Sequence, residues 1–143
     1  MKKLKLLNIS LIVLAVLALA MSAADGGRKF ETTLSGAQEV GGGDPDGSGT
    51  AEITLNPGQG QVCFELTATG TSTPIAAHIH AAPAGVNGPV VVPLSPPVGG
   101  SSSGCVSADR DLIKAIIQHP ENYYVNVHTT EFPGGALRGQ LSK

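Results

Sequence analysis

Short runs of alternating apolar and polar residues, separated by turns rich in glycine and proline, dominate this chain. The clearest run is 49–55, in which Ala51, Ile53 and Leu55 share one face and the residues between them are polar. Residues 61–69 alternate in the same way after the turn at 56–60, so the two runs predict a β-hairpin. With 19 Gly and 10 Pro in 143 residues, frequent turns leave room mainly for short strands.

The remaining runs extend this pattern to seven or eight strands and one helix. Apolar residues at helical spacing over 109–119 predict a helix that Ser107 or Asp109 caps and Pro120 ends. Residues 93–104 are predicted to be a polar, flexible loop. The predicted strands are 30–40, 49–55, 61–69, 75–81, 90–92, 104–107, 123–129 and 136–141. We therefore expect one all-β domain, an antiparallel Greek-key sandwich or small barrel with one short helix.

The N-terminus has the pattern of a secretory signal peptide. Three lysines within residues 1–5 precede an apolar core over 6–20, and small residues follow up to Ala24. We expect cleavage to leave a domain over 25–143 that is secreted, periplasmic or held in the cell envelope. The alternative is a membrane anchor, for which the uninterrupted apolar run 11–21 is short.

The charge balance bears on the partners. The predicted signal peptide, residues 1–24, contains three of the nine basic residues and none of the eleven acidic ones. The chain that remains after cleavage therefore has a more negative net charge than the −2 of the full sequence. A generic nucleic-acid binder would carry a basic stripe, so the composition excludes that class. We expect an extracellular protein or an envelope component as partner, and no membrane span after cleavage.

The chain has two cysteines, Cys63 and Cys105. In an oxidising compartment they predict one disulfide, which would close a long loop and stabilise a small domain. The alternative is a pair of buried free thiols. A metal site built from the two cysteines is disfavoured by their wide spacing.

Three histidines lie on predicted strands. Alternation places His78 and His80 on one face of their strand, at a spacing that suits two ligands of one metal ion. His128 shares a face with Asn126 on another strand, and three neutral imidazoles suit copper or zinc. The alternative is that these histidines bond backbone carbonyls or a carboxylate. His119, at the helix end, is left out of the site.

Several segments in a fixed order give the chain a family resemblance. They are Phe30 with 34–40, then 49–51, 77–80 followed by 83–85 and 88–94, then 123–129, and 132–141. Together they resemble the chordin-type (CHRD) domain family, which implies an extracellular β-sandwich of immunoglobulin-like or superoxide-dismutase-like topology. Two loops depart from the family pattern: glycines at 41–43 stand where proline is usual, and Ala81 stands where glycine often follows His-x-His.

A fainter likeness to Cu,Zn superoxide dismutases concerns the histidines. Those enzymes carry His-x-His on a strand, a further copper-binding His and a late arginine that guides the anion. The likeness implies that His78, His80 and His128 would bind copper and that Arg138 would guide the anion. The bridging His and the zinc loop of those enzymes do not occur in this sequence.

Three hypotheses follow. The first is a non-enzymatic extracellular binding or structural module with copper or zinc on the three strand histidines, supported by Asn126, Glu131 and Arg138. The second is a copper-dependent redox enzyme in which Arg138 draws an anionic substrate. The third is a purely structural domain. For Arg138 itself, pairing with Glu131 or capping carbonyl oxygens is the simpler role.

Overall fold

The computed structural model describes residues 27–143; the predicted leader, residues 1–24, lies outside them. Within that range, eight antiparallel strands form one sheet with the order β5-β4-β7-β8-β1-β2-β3-β6. The strands are β1 (Arg28–Ser35), β2 (Ser48–Asn56), β3 (Gln61–Thr69), β4 (Pro74–Ala81), β5 (Val90–Leu94), β6 (Ser101–Ser107), β7 (Tyr123–Thr129) and β8 (Leu137–Gln140).

The sheet curls into a nearly closed barrel. Its two edge strands, β5 and β6, approach each other where the Ser102 hydroxyl donates to the Ser95 carbonyl at 2.8 Å. The all-β prediction is confirmed, and the architecture that forms is the barrel. None of the helices in the described range has the length and hydropathy that a membrane crossing requires.

The barrel interior is filled by the apolar sides of the alternating strands. The buried residues of β2 are those that alternation selects, namely Ala51, Ile53 and Leu55. Helix α1 (Arg110–Gln118) contacts β2 and β3 and buries Ile113 and Ile116. It begins at Asp109, whose carboxylate accepts from the first free N–H groups of the helix at 2.9 and 3.0 Å. The predicted helix is confirmed.

The prediction that the first strand runs to Val40 is wrong. β1 ends at Ser35, and a 3-10 turn, Gly36–Gln38, follows. The Gly43 N–H donates to the Gly36 carbonyl at 2.8 Å, which turns the chain away from the sheet. A side chain at position 36 would overlap the backbone of Asp44, so the turn requires glycine there.

The predicted bounds of the loop over 93–104 are also wrong at both ends. β5 continues through Pro93 to Leu94, and an edge strand tolerates a proline whose missing N–H would face away from the sheet. β6 begins at Ser101 and pairs with β3. Residues 101–104 include none of the β-branched or aromatic residues that are enriched in strands, so pairing with β3 decides the structure of this segment.

The two cysteines lie directly opposite each other in that pairing. Cys63 on β3 and Cys105 on β6 are register partners and form a disulfide. The bond fastens edge strand β6 to the rest of the sheet.

Candidate metal centre

The three strand histidines lie on neighbouring strands. β4 pairs with β7 so that His78 is opposite Asn126 and Ala76 is opposite His128. The intervening residues of β4, Ala77 and Ile79, are fully buried in the barrel core. Alternation therefore places all three imidazoles on the outer face of the barrel.

The imidazoles converge on one point of that face. One ring nitrogen of each histidine lies within 4.8 Å of the others. Nδ1 of His78 is 3.2 Å from Nε2 of His128. Two nitrogens at that separation can both reach one ion through bonds of about 2.0–2.1 Å at a near-tetrahedral angle. The geometry is thus compatible with a shared metal ion.

Two backbone carbonyls fix which nitrogen of each ring carries the proton. Nδ1 of His80 is 2.9 Å from the Gly88 carbonyl, and Nδ1 of His128 is 2.9 Å from the Pro133 carbonyl. Because a carbonyl oxygen only accepts, each Nδ1 is protonated and each Nε2 carries the free lone pair. Histidines that bind metals usually donate their second ring N–H in this way.

The Nε2 atom of His80 is an unpartnered acceptor. The residue is 8% exposed, and within the described range this atom and Oδ1 of Asn126 are the buried side-chain nitrogen or oxygen atoms that lack a hydrogen bond. Leaving such an atom unpaired costs about 1–3 kcal/mol. A ligand at the centre of the three rings would remove that cost.

The electrostatics favour the neutral form of two of the rings. Burial, and after it the neighbouring His128, holds the pKa of His78 below its usual value of 6.5. Burial also lowers the pKa of His80, against the opposing effect of the Gly88 hydrogen bond. Neutral imidazoles are the form that ligates metals.

Asn126 and Glu131, which were predicted to support the histidines, form hydrogen bonds to other groups. The Asn126 amide is buried and donates to Glu39 Oε1 and, at 3.3 Å, to the Leu137 carbonyl. Glu131 is exposed, and its backbone N–H donates to the Ser72 hydroxyl at 3.1 Å. The atoms that orient the histidines are main-chain carbonyls instead. Bonds to backbone carbonyls were the alternative that the sequence left open, but main-chain atoms leave no mark in a side-chain pattern, so the sequence could not identify the carbonyls of Gly88 and Pro133.

Arg138 is a buried anchor for a neighbouring loop. It is 1% exposed and donates to the carbonyls of Val86 and Pro83, both at 2.9 Å, and to Gln140 Oε1 at 3.1 Å. Its guanidinium carbon also lies 3.4 Å from the centre of the Tyr124 ring. Capping of carbonyl oxygens, the simpler of the roles considered, is what the structure shows.

We call the loop that Arg138 holds, residues 82–89, the strap. His80 binds the strap through the Gly88 carbonyl, and the Gly88 N–H donates to the Tyr124 hydroxyl at 3.3 Å. The rings of His80 and Tyr124 stack at 4.8 Å. His80 therefore belongs to both the histidine cluster and the fastening of the strap.

Glu39 is a buried carboxyl that accepts from Asn126, the residue opposite His78. It is 9% exposed. Burial raises its pKa above the usual 4.5, although Arg138 and the Asn126 amide act in the opposite direction. The folded state therefore binds this proton more tightly than the unfolded chain does. Protonated Glu39 therefore contributes to stability below pH 4.5, and this contribution is lost as the pH rises through the folded-state pKa of Glu39.

We expect Glu39→Gln to gain stability relative to the wild type as the pH rises from about 4.5 to 7, since glutamine cannot ionise. Urea unfolding of both proteins at several pH values measures this difference. Glu31→Gln, on an exposed position of β1, is the matched control and should show no such trend. A difference for Glu39→Gln that is flat with pH, or that shrinks as the pH rises, would contradict the assignment.

Comparison with known proteins decides the family. A family model described as CHRD domain matches residues 30–141. The chain belongs to the CHRD domain family. No curated protein and no solved structure matches it significantly. The likeness to Cu,Zn superoxide dismutases therefore stays a prediction.

All three clustered histidines of this CHRD domain lie inside the matched range. CHRD domains are typically small extracellular modules, and the disulfide fits that setting. The predicted family is confirmed.

Proposed function

We propose that this CHRD protein is an exported binding module that holds one copper or zinc ion with His78, His80 and His128. The observation that carries the proposal is the Nε2 atom of His80, which is buried and unpartnered beside two other imidazoles. Residues 1–24 act as the signal peptide and 25–143 as the exported module. The disulfide supports export, because such bonds persist in oxidising compartments.

A purely structural role explains two of the histidines but not the third. His78 and His128 hydrogen-bond each other, and His128 also donates to the Pro133 carbonyl. His80 uses one nitrogen on the strap and leaves the other buried without a partner. A bound ion supplies the missing partner.

The use of Arg138 favours binding over copper-dependent turnover. The enzyme hypothesis needs this guanidinium to draw an anion, yet its N–H groups are directed at two strap carbonyls and Gln140. When bound, the ion would act as a Lewis acid and would join β4 to β7.

Metal titration tests the proposal. We expect the purified protein to take up one copper or zinc ion per chain, measured by calorimetry and by metal analysis after gel filtration. His80→Ala should weaken binding by about a hundredfold or more, because a ligand is lost outright. His119→Ala is the matched control, since that exposed imidazole pairs with Glu121 at 3.3 Å outside the cluster.

No stoichiometric uptake, or equal losses in the two variants, would end the metal proposal. A copper-loaded protein that consumes superoxide faster than the same amount of free copper would favour the enzyme hypothesis. Export has its own test. The chain should accumulate outside the cytoplasm, and a chain lacking residues 1–24 should remain inside.

A further inference from the structure

The strap carries an asparagine–glycine pair at the point where it meets the histidine cluster. Asn87 is exposed and borders a solvent-open cleft of about 330 Å³. Gly88, which follows it, is held by both of its main-chain groups. Its N–H donates to the Tyr124 hydroxyl at 3.3 Å, and its carbonyl accepts from His80 at 2.9 Å.

We propose that Asn87 is a site of spontaneous modification to isoaspartate, and that this modification releases His80 from the strap. The Gly88 nitrogen attacks the side-chain carbonyl carbon of Asn87 and forms a five-membered imide. The bond from that carbon to Nδ2 breaks, and Nδ2 leaves as ammonia with the proton from the Gly88 nitrogen. Water then opens the imide at either carbonyl and gives aspartate or isoaspartate, so no other reactant is needed.

The residue that follows each asparagine makes Asn87 the reactive one within the described range. Glycine has no side chain to shield its nitrogen. Asn56 precedes Pro57, which has no N–H to lose. The other two asparagines, Asn122 and Asn126, precede a tyrosine and a valine, whose side chains hinder the attack.

The local packing explains why the modification would act on His80. Isoaspartate adds one methylene to the main chain directly before Gly88. The strap cannot absorb that extra length by moving inward, because Gly88 is packed so closely on the Ala81 carbonyl that a Cβ would not fit. The Ala81 N–H is also bonded to the Pro89 carbonyl at 3.1 Å. The Gly88 carbonyl must therefore move away from Nδ1 of His80.

Ageing of the full chain in mildly alkaline buffer tests the first part. We expect peptide mass analysis with electron-transfer fragmentation to find isoaspartate at Asn87, formed at least about tenfold faster than at Asn122, because a glycine nitrogen is open to attack. Tyr124→Phe should raise the rate a few-fold, since it frees the attacking nitrogen from its hydrogen bond. Asn87→Gln is the control and should stay unmodified. Conversion at Asn87 no faster than at Asn122 would overturn the proposal.

Nitrogen–proton correlation spectra of the imidazoles test the second part. The fresh protein should show His80 protonated at Nδ1, and the aged protein should show a mixture of tautomers, while aged Asn87→Gln keeps the first pattern. An unchanged His80 in protein fully converted at position 87 would refute the coupling. Neither measurement requires a metal ion, so this inference and the proposed function can fail independently.

Discussion

Replacement of Arg138 by Met is expected to lower the free energy of unfolding by about 3–5 kcal/mol, because three hydrogen bonds from a charged donor are lost at about 1.5 kcal/mol each. The side chain is 1% exposed, and its guanidinium donates to two strap carbonyls that would lose this donor. It is also the positive charge that opposes the raised pKa of Glu39. Urea unfolding monitored by circular dichroism measures the loss.

Arg110→Met is the matched control, because Arg110 is exposed at the start of α1 and should change stability by no more than about 0.5 kcal/mol. Adding Glu39→Gln to Arg138→Met should restore part of the loss, since it removes the buried carboxyl that has lost the nearby positive charge. A loss below about 1 kcal/mol for Arg138→Met would show that the strap finds other donors.

Removal of the disulfide is expected to cost nearly as much. The bond closes a loop of 42 residues in sequence separation, for which the chain-entropy model gives about 4 kcal/mol. The Cys63→Ser/Cys105→Ser variant should therefore unfold at markedly lower urea. Amide exchange should rise first in β6, an edge strand whose serines bury little apolar surface.

Wild-type protein treated with a reductant is the control, and it should match the double variant in both measurements. If β6 keeps its amide protection without the disulfide, pairing with β3 alone is sufficient to hold that strand. A stability loss below about 1 kcal/mol would lead to the same conclusion.

Alternation predicted the strands well where one face is buried and the other is solvated. β2 and β3 are of this kind, and both lie within one residue of the predicted bounds. It gave wrong strand bounds where one face of the strand is not apolar, as in β6, and where a tight turn follows the strand, as at Gly36. In those two places the neighbouring chain decided the structure, through a pairing partner or a close backbone contact.

The sequence likewise predicted the local features of the candidate site but not those that depend on strand pairing. The sequence could place His78 and His80 on one face because the period of two is a local property of a strand. It could not show that β4 and β7 are neighbours, which is what brings His128 to them. It also assigned Asn126, Glu131 and Arg138 to support the ligands, whereas the carbonyls of Gly88 and Pro133 orient the rings.

By itself, then, the sequence determined an all-β domain of the CHRD family, the helix at 110–118 and the histidine pair on β4. Only the tertiary structure decided how the sheet closes into a barrel, which strand supplies the third histidine and where Arg138 points. The physical reason is the range of the interactions. Side-chain periodicity is encoded residue by residue, whereas strand order and hydrogen bonds to main-chain carbonyls join segments far apart in the chain and depend on atoms that every residue shares.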